Sequence, residues 1–216
     1  MSEAIFITGT PCTGKTTVSE KLSSKLGCKL VKINDLALEN DFVLGVDDEK
    51  GYKVIDIPKL SEKVSEIIGA SDELLIFEGH LAHLCDGADK VIVLRVRPEI
   101  LRFRLEGRDY SEAKIRENLE AEAMGVCTAE AYDIYGENIS EIDVSDLTVD
   151  EIVCVISDVI YGSKSYPVGE VDFMDWLISN SWFIFLQQFS IMGAILLNNY
   201  NFSYLGQFPI YFYLFL

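Results

Sequence analysis

The sequence predicts an α/β fold, a five-stranded parallel sheet with helices on both faces. Three observations carry that expectation. Short runs that are apolar throughout alternate with segments of helical periodicity, the pattern left by strands buried on both sides. A glycine-rich stretch joins the first such run to the first helical segment. The chain has 216 residues, 49% hydrophobic and 25% charged, long enough to close one core and too apolar to be wholly disordered.

Taken in order, the apolar runs place strands at 4–8, 29–33, 74–77, 91–96 and 139–144. Helices are expected at 15–26, 58–68, 98–106, 111–132 and 148–160. Pro58 and Pro98 suit first turns, and Ser111 suits a helix start after the 107–110 turn. No internal repeat interrupts the pattern.

The net charge is −17, from 35 acidic against 18 basic residues. Such a surface repels phosphodiester backbones, so direct nucleic-acid binding is not expected, whereas a basic protein partner would be attracted. Cys12, Cys28, Cys85, Cys127 and Cys154 are odd in number and never spaced as CxxC, which argues for a reducing compartment and against a disulfide framework or zinc site. The opening MSEAIFITGT lacks a basic n-region, so no signal peptide is expected and the location reads as cytoplasmic.

The glycine-rich stretch is GTPCTGKT, Gly9 to Thr16, and it fits G-x-x-x-x-G-K-[ST] between a strand and a helix. Its glycines let backbone N–H groups wrap inward on phosphate oxygens, with the positive end of the next helix behind them. Lys15 would reach the β- and γ-phosphates of a nucleoside triphosphate, Thr16 would ligate Mg²⁺, and Thr17 would meet the α-phosphate. Such a site needs an acid at the end of a neighbouring strand. LLIFEGH supplies Glu78, which either holds Mg²⁺ or orients the attacking group, or else simply meets solvent. His80 is either a group of the site or a polar strand cap, and His83 reads as packed or solvated, since two histidines alone do not hold a metal.

Phosphoryl transfer between nucleotides gathers negative charge, so further cations are needed. LRVRPEILRFRLEGRDYSEAKIREN carries Arg95, Arg97, Arg102, Arg104, Arg108 and Arg116, six of the 18 basic residues. Arg102 and Arg116 read as solvated, while Arg104 and Arg108, four apart, share a helix face and look toward a site.

Together these residues resemble a family, the adenylate-kinase-like nuclear ATPases (adenylate kinase isoenzyme six, or the coilin-interacting nuclear ATPase) and their archaeal relatives. The likeness rests on GTPCTGKTT, on FEGH where the family has a D-x-H strand end, and on LRFRLEGRDYSEAKIRENLEAE, similar to its R-L-x-x-R-G-Y-x-x-x-K-[IL]-x-x-N-[IL]-x-x-E lid segment. It spans roughly residues 1–178 and implies a P-loop nucleoside-monophosphate-kinase fold with a monophosphate-binding arm and a short lid. It implies ATP and Mg²⁺ as cofactors, AMP as acceptor, ATPase activity besides, and a part in small-ribosomal-subunit maturation through a basic ribosomal protein of the platform. The alternatives are an ATP-switched assembly factor with little kinase activity, or a kinase for another small substrate, since nothing at 34–59 names adenine by chemistry alone. By position, Gly9, Pro11, Cys12, Thr13, Gly14, Lys15, Thr16 and Thr17 would bind ATP, with Arg104 and Arg108 as lid contacts. Lys15, Glu78, His80 and Arg108 would serve catalysis, and Thr16 and Glu78 the metal. Asp35 and Tyr52, in an arm at 34–59, would bind the monophosphate, and residues 144–146 would pass the adenine. Two departures stand out. Glu78 replaces an aspartate, and Cys12 stands where relatives often have glycine, which a side chain tolerates only if φ there is below zero.

The chain divides into this domain at 1–178 and a tail at 179–216. The 41 residues after Asp175 hold no charge. Residues 182–197 are mostly apolar but fall short of the ~20 needed to span a bilayer. Gln187, Gln188 and Ser190 lie inside them, and no lysine or arginine follows. The tail therefore reads as membrane-associated, as a partner-binding segment, or as functionless sequence rich in residues of A/T-rich codons.

Overall fold

A computed structural model describes residues 3–47, 52–108 and 110–180. Five strands form one parallel sheet: β1 (Ala4–Thr8), β2 (Lys29–Lys32), β5 (Leu75–Glu78), β6 (Lys90–Arg95) and β7 (Ile139–Asp143), in the order β2-β5-β1-β6-β7. Each strand splits its side chains between two apolar clusters. Ile5, Ile7, Ile76, Ile92 and Leu94 face one side, while Ala4, Phe6, Leu75, Phe77, Val91 and Val93 face the other. This alternation within wholly apolar runs is what burial on both faces requires.

On the first face lie α1 (Lys15–Leu26), α4 (Pro98–Glu106), α5 (Glu112–Ala123) and α7 (Val149–Ile160), which contribute Leu22, Leu101, Leu119 and Ile156 to its cluster. The other face is covered by α2 (Ile33–Glu39), α3 (Ile57–Gly69) and α6 (Val126–Tyr135) through Ile33, Leu60, Val64 and Ala131. Each fully buried Leu or Ile of this kind is worth about 1.5–3 kcal/mol of transfer free energy. Some helix starts carry a capping side chain. Ser111 accepts from the Lys114 N–H, and Thr148 forms a reciprocal capping box with Glu151.

Three expectations need correction. The segment expected as one helix at 111–132 is two, α5 and α6, broken at Gly125 with φ +66°. A Cβ at Gly125 would sit 3.3 Å from an Arg95 guanidinium nitrogen, so the break lets the chain pass a buried side chain. The arm holds elements that the apolar pattern did not announce, namely α2 and an antiparallel pair, β3 (Val43–Val46) with β4 (Lys53–Ile55). Leu44, Val46 and Val54 on that pair are exposed, so no buried face imposes an alternation on the sequence. Finally, Cys12 has φ +68°, in the left-handed region where a side chain is strained.

Beyond α7 the chain returns along the sheet edge. The Glu141 N–H of β7 donates to Tyr166 O at 2.9 Å, and Tyr166 and Trp176 pack against the first cluster. Residues 174–180 are helical. The readings of the tail from residue 181 onward lie outside the described residues. Among the described residues no helix is long and apolar enough to cross a membrane.

Candidate active site

Strand order fixes where the chemistry gathers. β1 lies between β5 and β6, and the chain crosses from one side of β1 to the other between these two strands, so a crevice opens at its carboxyl end. The glycine-rich loop leaves β1 there, and Glu78 ends β5 opposite Ile7. A cleft of about 500 Å³ occupies this edge. Residues 11–18 line it, with Glu78, Gly79, His80, Arg104, Arg108 and Tyr110 around them and Asn34, Leu147, Val149 and Ile152 at its margins.

The loop is set up for an anion. Gly9 and Gly14 have φ of +136° and +105°, and a Cβ on Gly9 would lie 2.4 Å from Leu94 O. No side chain caps α1 and its first turn holds no acid, so the opening N–H groups of the helix are left for a ligand. Lys15 is buried and donates to Gly9 O at 2.8 Å and Thr10 O at 2.9 Å. Burial lowers its pKa, an effect that nearby groups including Glu78 oppose. Arg104 reaches in from α4 and donates to Cys12 O at 3.3 Å and Thr13 O at 3.2 Å.

The acid meets the loop directly. Thr16 Oγ1 donates to Glu78 Oε1 at 3.2 Å and Oε2 at 3.3 Å. Burial raises the Glu78 carboxyl pKa, against the lowering pull of Lys15 and of the Thr16 bond. His80 is buried, and its pKa is lowered to about 3, by burial first and then by the charge of Lys15, with His83 and Lys114 adding to it. It is therefore a neutral imidazole at pH 7. His80 Nε2 and Thr13 Oγ1 are buried without a hydrogen-bond partner. Two orphaned polar atoms in a cleft are what a polar ligand would satisfy.

Not every expected residue reaches the cleft. Gly9, Asp35 and Tyr52 are not part of the lining. Tyr52 is buried, donates from its hydroxyl to Glu117 Oε2 at 2.7 Å, and carries Lys114 Nζ 4.3 Å above its ring. Residues 144–146 are also outside the lining, to which Leu147, Val149 and Ile152 contribute instead, while Asp146 pairs with Arg97 at 2.6 Å. Of the six clustered arginines, four are spent elsewhere. Arg95 enters the core against Glu122 and Glu141, Arg97 meets Asp146, Arg102 pairs with Glu106 and Glu112, and Arg116 with Glu120. Only Arg104 and Arg108 line the cleft. His83 is fully buried between Thr8, 2.7 Å from its Nδ1, and Glu130, 3.0 Å from its Nε2. Among the described residues no group of three or more His, Cys, Asp or Glu is placed to hold a metal.

Comparison with known proteins agrees with this geometry. The protein family described as "AAA domain" matches residues 5–125, which contain the loop, Glu78 and both cleft arginines. A protein named "Putative adenylate kinase" in Methanothermobacter thermautotrophicus is 45% identical over 174 residues, covering 81% of this chain and 99% of the relative. The chain belongs to this family. A relative of the same name in Pyrococcus furiosus is 41% identical over 78% of this chain and 89% of its own length. Membership supports a nucleotide kinase, a phosphotransferase drawing on ATP. A solved structure of an uncharacterized protein from Eubacterium ventriosum superposes with a TM-score of 0.53 at 16% identity, over 75% of this chain and 99% of that one, a likeness of fold alone.

The cleft also holds residues that sequence reasoning passed over, among them Tyr110, Leu147, Val149 and Ile152. Tyr110 stands in the lid segment but reads only as the end of a turn, and no motif marks the other three. Tyr110 arrives from the α4–α5 turn, Leu147 from just before α7, and Val149 and Ile152 from the first turn of α7, brought together only by the parallel crossovers.

Proposed function

We propose that the protein transfers the γ-phosphoryl group of ATP to AMP, giving two ADP. The observation that carries this reading is the Lys15–Thr16–Glu78 group, set at the switch point of the sheet beneath two arginines of the α4 segment. In the reaction a bond forms between an acceptor phosphate oxygen and the γ-phosphorus, and the bond from that phosphorus to the β-bridging oxygen breaks. Little covalent chemistry is left for the chain, so catalysis is positioning and charge stabilisation. Lys15 leaves the loop carbonyls for β- and γ-oxygens, and Arg104 and Arg108 face the charge that spreads over the transferring group. His80 offers a hydrogen bond and no charge. The hydroxyl of Thr16 and the carboxylate of Glu78, already in contact, are hard oxygen donors that fit Mg²⁺. When bound, Mg²⁺ would neutralise phosphate charge and align the reacting oxygens. Asp35 and Tyr52, outside the present lining, would meet the acceptor only if the arm moved toward the cleft.

A second reading is favoured by the net charge of −17. ATP hydrolysis would then switch affinity for a basic ribosomal protein of the small-subunit platform, with ATPase as the main activity. Mixing ATP and AMP and following ADP separates the two. ADP at twice the AMP consumed supports the kinase, whereas ADP and phosphate formed at a rate indifferent to AMP supports the switch. Lys15→Ala should abolish either activity with the fold intact, and near-native turnover would remove the loop assignment.

A further inference from the structure

We propose that Glu122 is a positioning residue for the phosphate loop, acting through the hydroxyl of Thr10. Thr10 is the second residue of the loop, buried, and absent from the cleft lining. Its side chain donates to Glu122 Oε2, and its carbonyl takes Lys15 Nζ at 2.9 Å. One residue is thus gripped from both sides, by the loop lysine on its main chain and by a carboxylate of α5 on its side chain.

Glu122 is itself held on every side. Its Oε1 accepts from Arg95 Nε at 2.9 Å and from the Val96 N–H at 2.9 Å, and its main-chain oxygen accepts from Arg95 Nη2 at 2.6 Å. Arg95 continues to Glu141, which also accepts from Thr128 Oγ1 at 2.8 Å and from the Gly169 N–H at 3.0 Å. The Phe173 ring lies 5.2 Å from the guanidinium carbon. Two buried carboxylates therefore share one guanidinium, and the uncompensated side of the group faces Thr10 and Lys15.

Stability alone is a poor reason for such a group, because an apolar replacement of similar volume is often as stable. What an apolar replacement could not do is orient a loop hydroxyl. The carbonyls of Gly9 and Thr10 that hold Lys15 keep their direction only while Thr10 does. If Thr10 turns, the N–H cradle and the lysine shift together, and an ångström of displacement can cost up to about 10²-fold in rate.

The proposal rests on reading the loop as an ATP site, but its test does not need AMP to be the acceptor. Calorimetric ATP titration and turnover would be measured for wild type, Thr10→Val, Thr10→Ser and Glu141→Gln, well below each thermal midpoint. Thr10→Val should weaken ATP affinity about tenfold and slow turnover, and Thr10→Ser, which restores the hydroxyl, should stay within about twofold of wild type. Glu141→Gln perturbs the far end of the same group, so it should lower the thermal midpoint and leave ATP affinity within about twofold. If Thr10→Val does not fold, Thr10→Ala leaves room for a water on Glu122 and gives the same comparison. Wild-type affinity in Thr10→Val, or an equal loss in Glu141→Gln, would overturn the proposal. A protein that binds ATP and never phosphorylates AMP would refute the proposed reaction and leave this comparison intact.

Discussion

Lowering the pH from 7.5 to 5 should cost this protein about 2 kcal/mol of folding stability through His80 alone. The imidazole is buried and its pKa falls to about 3, from an ordinary value of 6.5. A base with a depressed pKa stabilises the fold while it is neutral in both states. Its contribution is complete above pH 6.5 and is lost as the unfolded chain takes up a proton that the folded chain refuses. Between pH 6.5 and 5 the loss is about 1.5 units at about 1.4 kcal/mol each, and it continues until the folded value is reached. Other groups titrate over the same range, so the measurement is a difference. Urea unfolding at both pH values would be compared for wild type and His80→Asn, without nucleotide. The variant should lose about 2 kcal/mol less than wild type on acidification. Equal losses would mean that His80 is charged in the folded protein at pH 5, and the description of a neutral imidazole in the cleft would be wrong.

Glu78→Gln keeps the shape of the strand end and removes its charge, so turnover should fall ~10²-fold or more while the thermal midpoint holds or rises; an unchanged rate at saturating Mg²⁺ would reduce Glu78 to a strand terminus. Cys12→Gly should raise stability by about 1 kcal/mol, because only glycine meets φ +68° without strain, and a fall in the urea midpoint would contradict this. Truncation after Ser179 retains Phe173 and Trp176 with their packing, so the thermal midpoint should stay within a few degrees and turnover should be unchanged. Loss of the fold would place the domain boundary further along the chain.

The five strands were legible because a parallel sheet buried on both faces leaves uninterrupted apolar runs, and each observed strand falls within a residue of its run. The loop was legible because its glycines answer a local demand. What sequence hid was set by distant partners. The Gly125 break exists because Arg95, 30 residues earlier in the chain, occupies the space beside it. The β3–β4 pair has no fully buried residue, only Ile55 packing partly against the second cluster, and so writes no period. Thr10 sat inside the motif yet drew no role, since its partner Glu122 lies 112 residues on.

The arginine-rich segment shows how little a count of charges says about a site. In a chain of net charge −17 an arginine finds a carboxylate easily, and Arg95, Arg97, Arg102 and Arg116 have each done so. Arg104 differs because its hydrogen bonds go to main-chain oxygens, Cys12 O and Thr13 O, just as those of Lys15 go to Gly9 O and Thr10 O. Four carbonyls of the loop are thereby held by two cations. Thr10 O also accepts from the Thr13 N–H at 3.3 Å, so the loop is folded around its two cations before an anion arrives. A phosphate entering the cleft competes with neutral carbonyls for those cations, not with carboxylates. That exchange gains charge–charge attraction without breaking an ion pair, which makes a carbonyl the better resting partner for a cation that is to meet an anion in so acidic a protein.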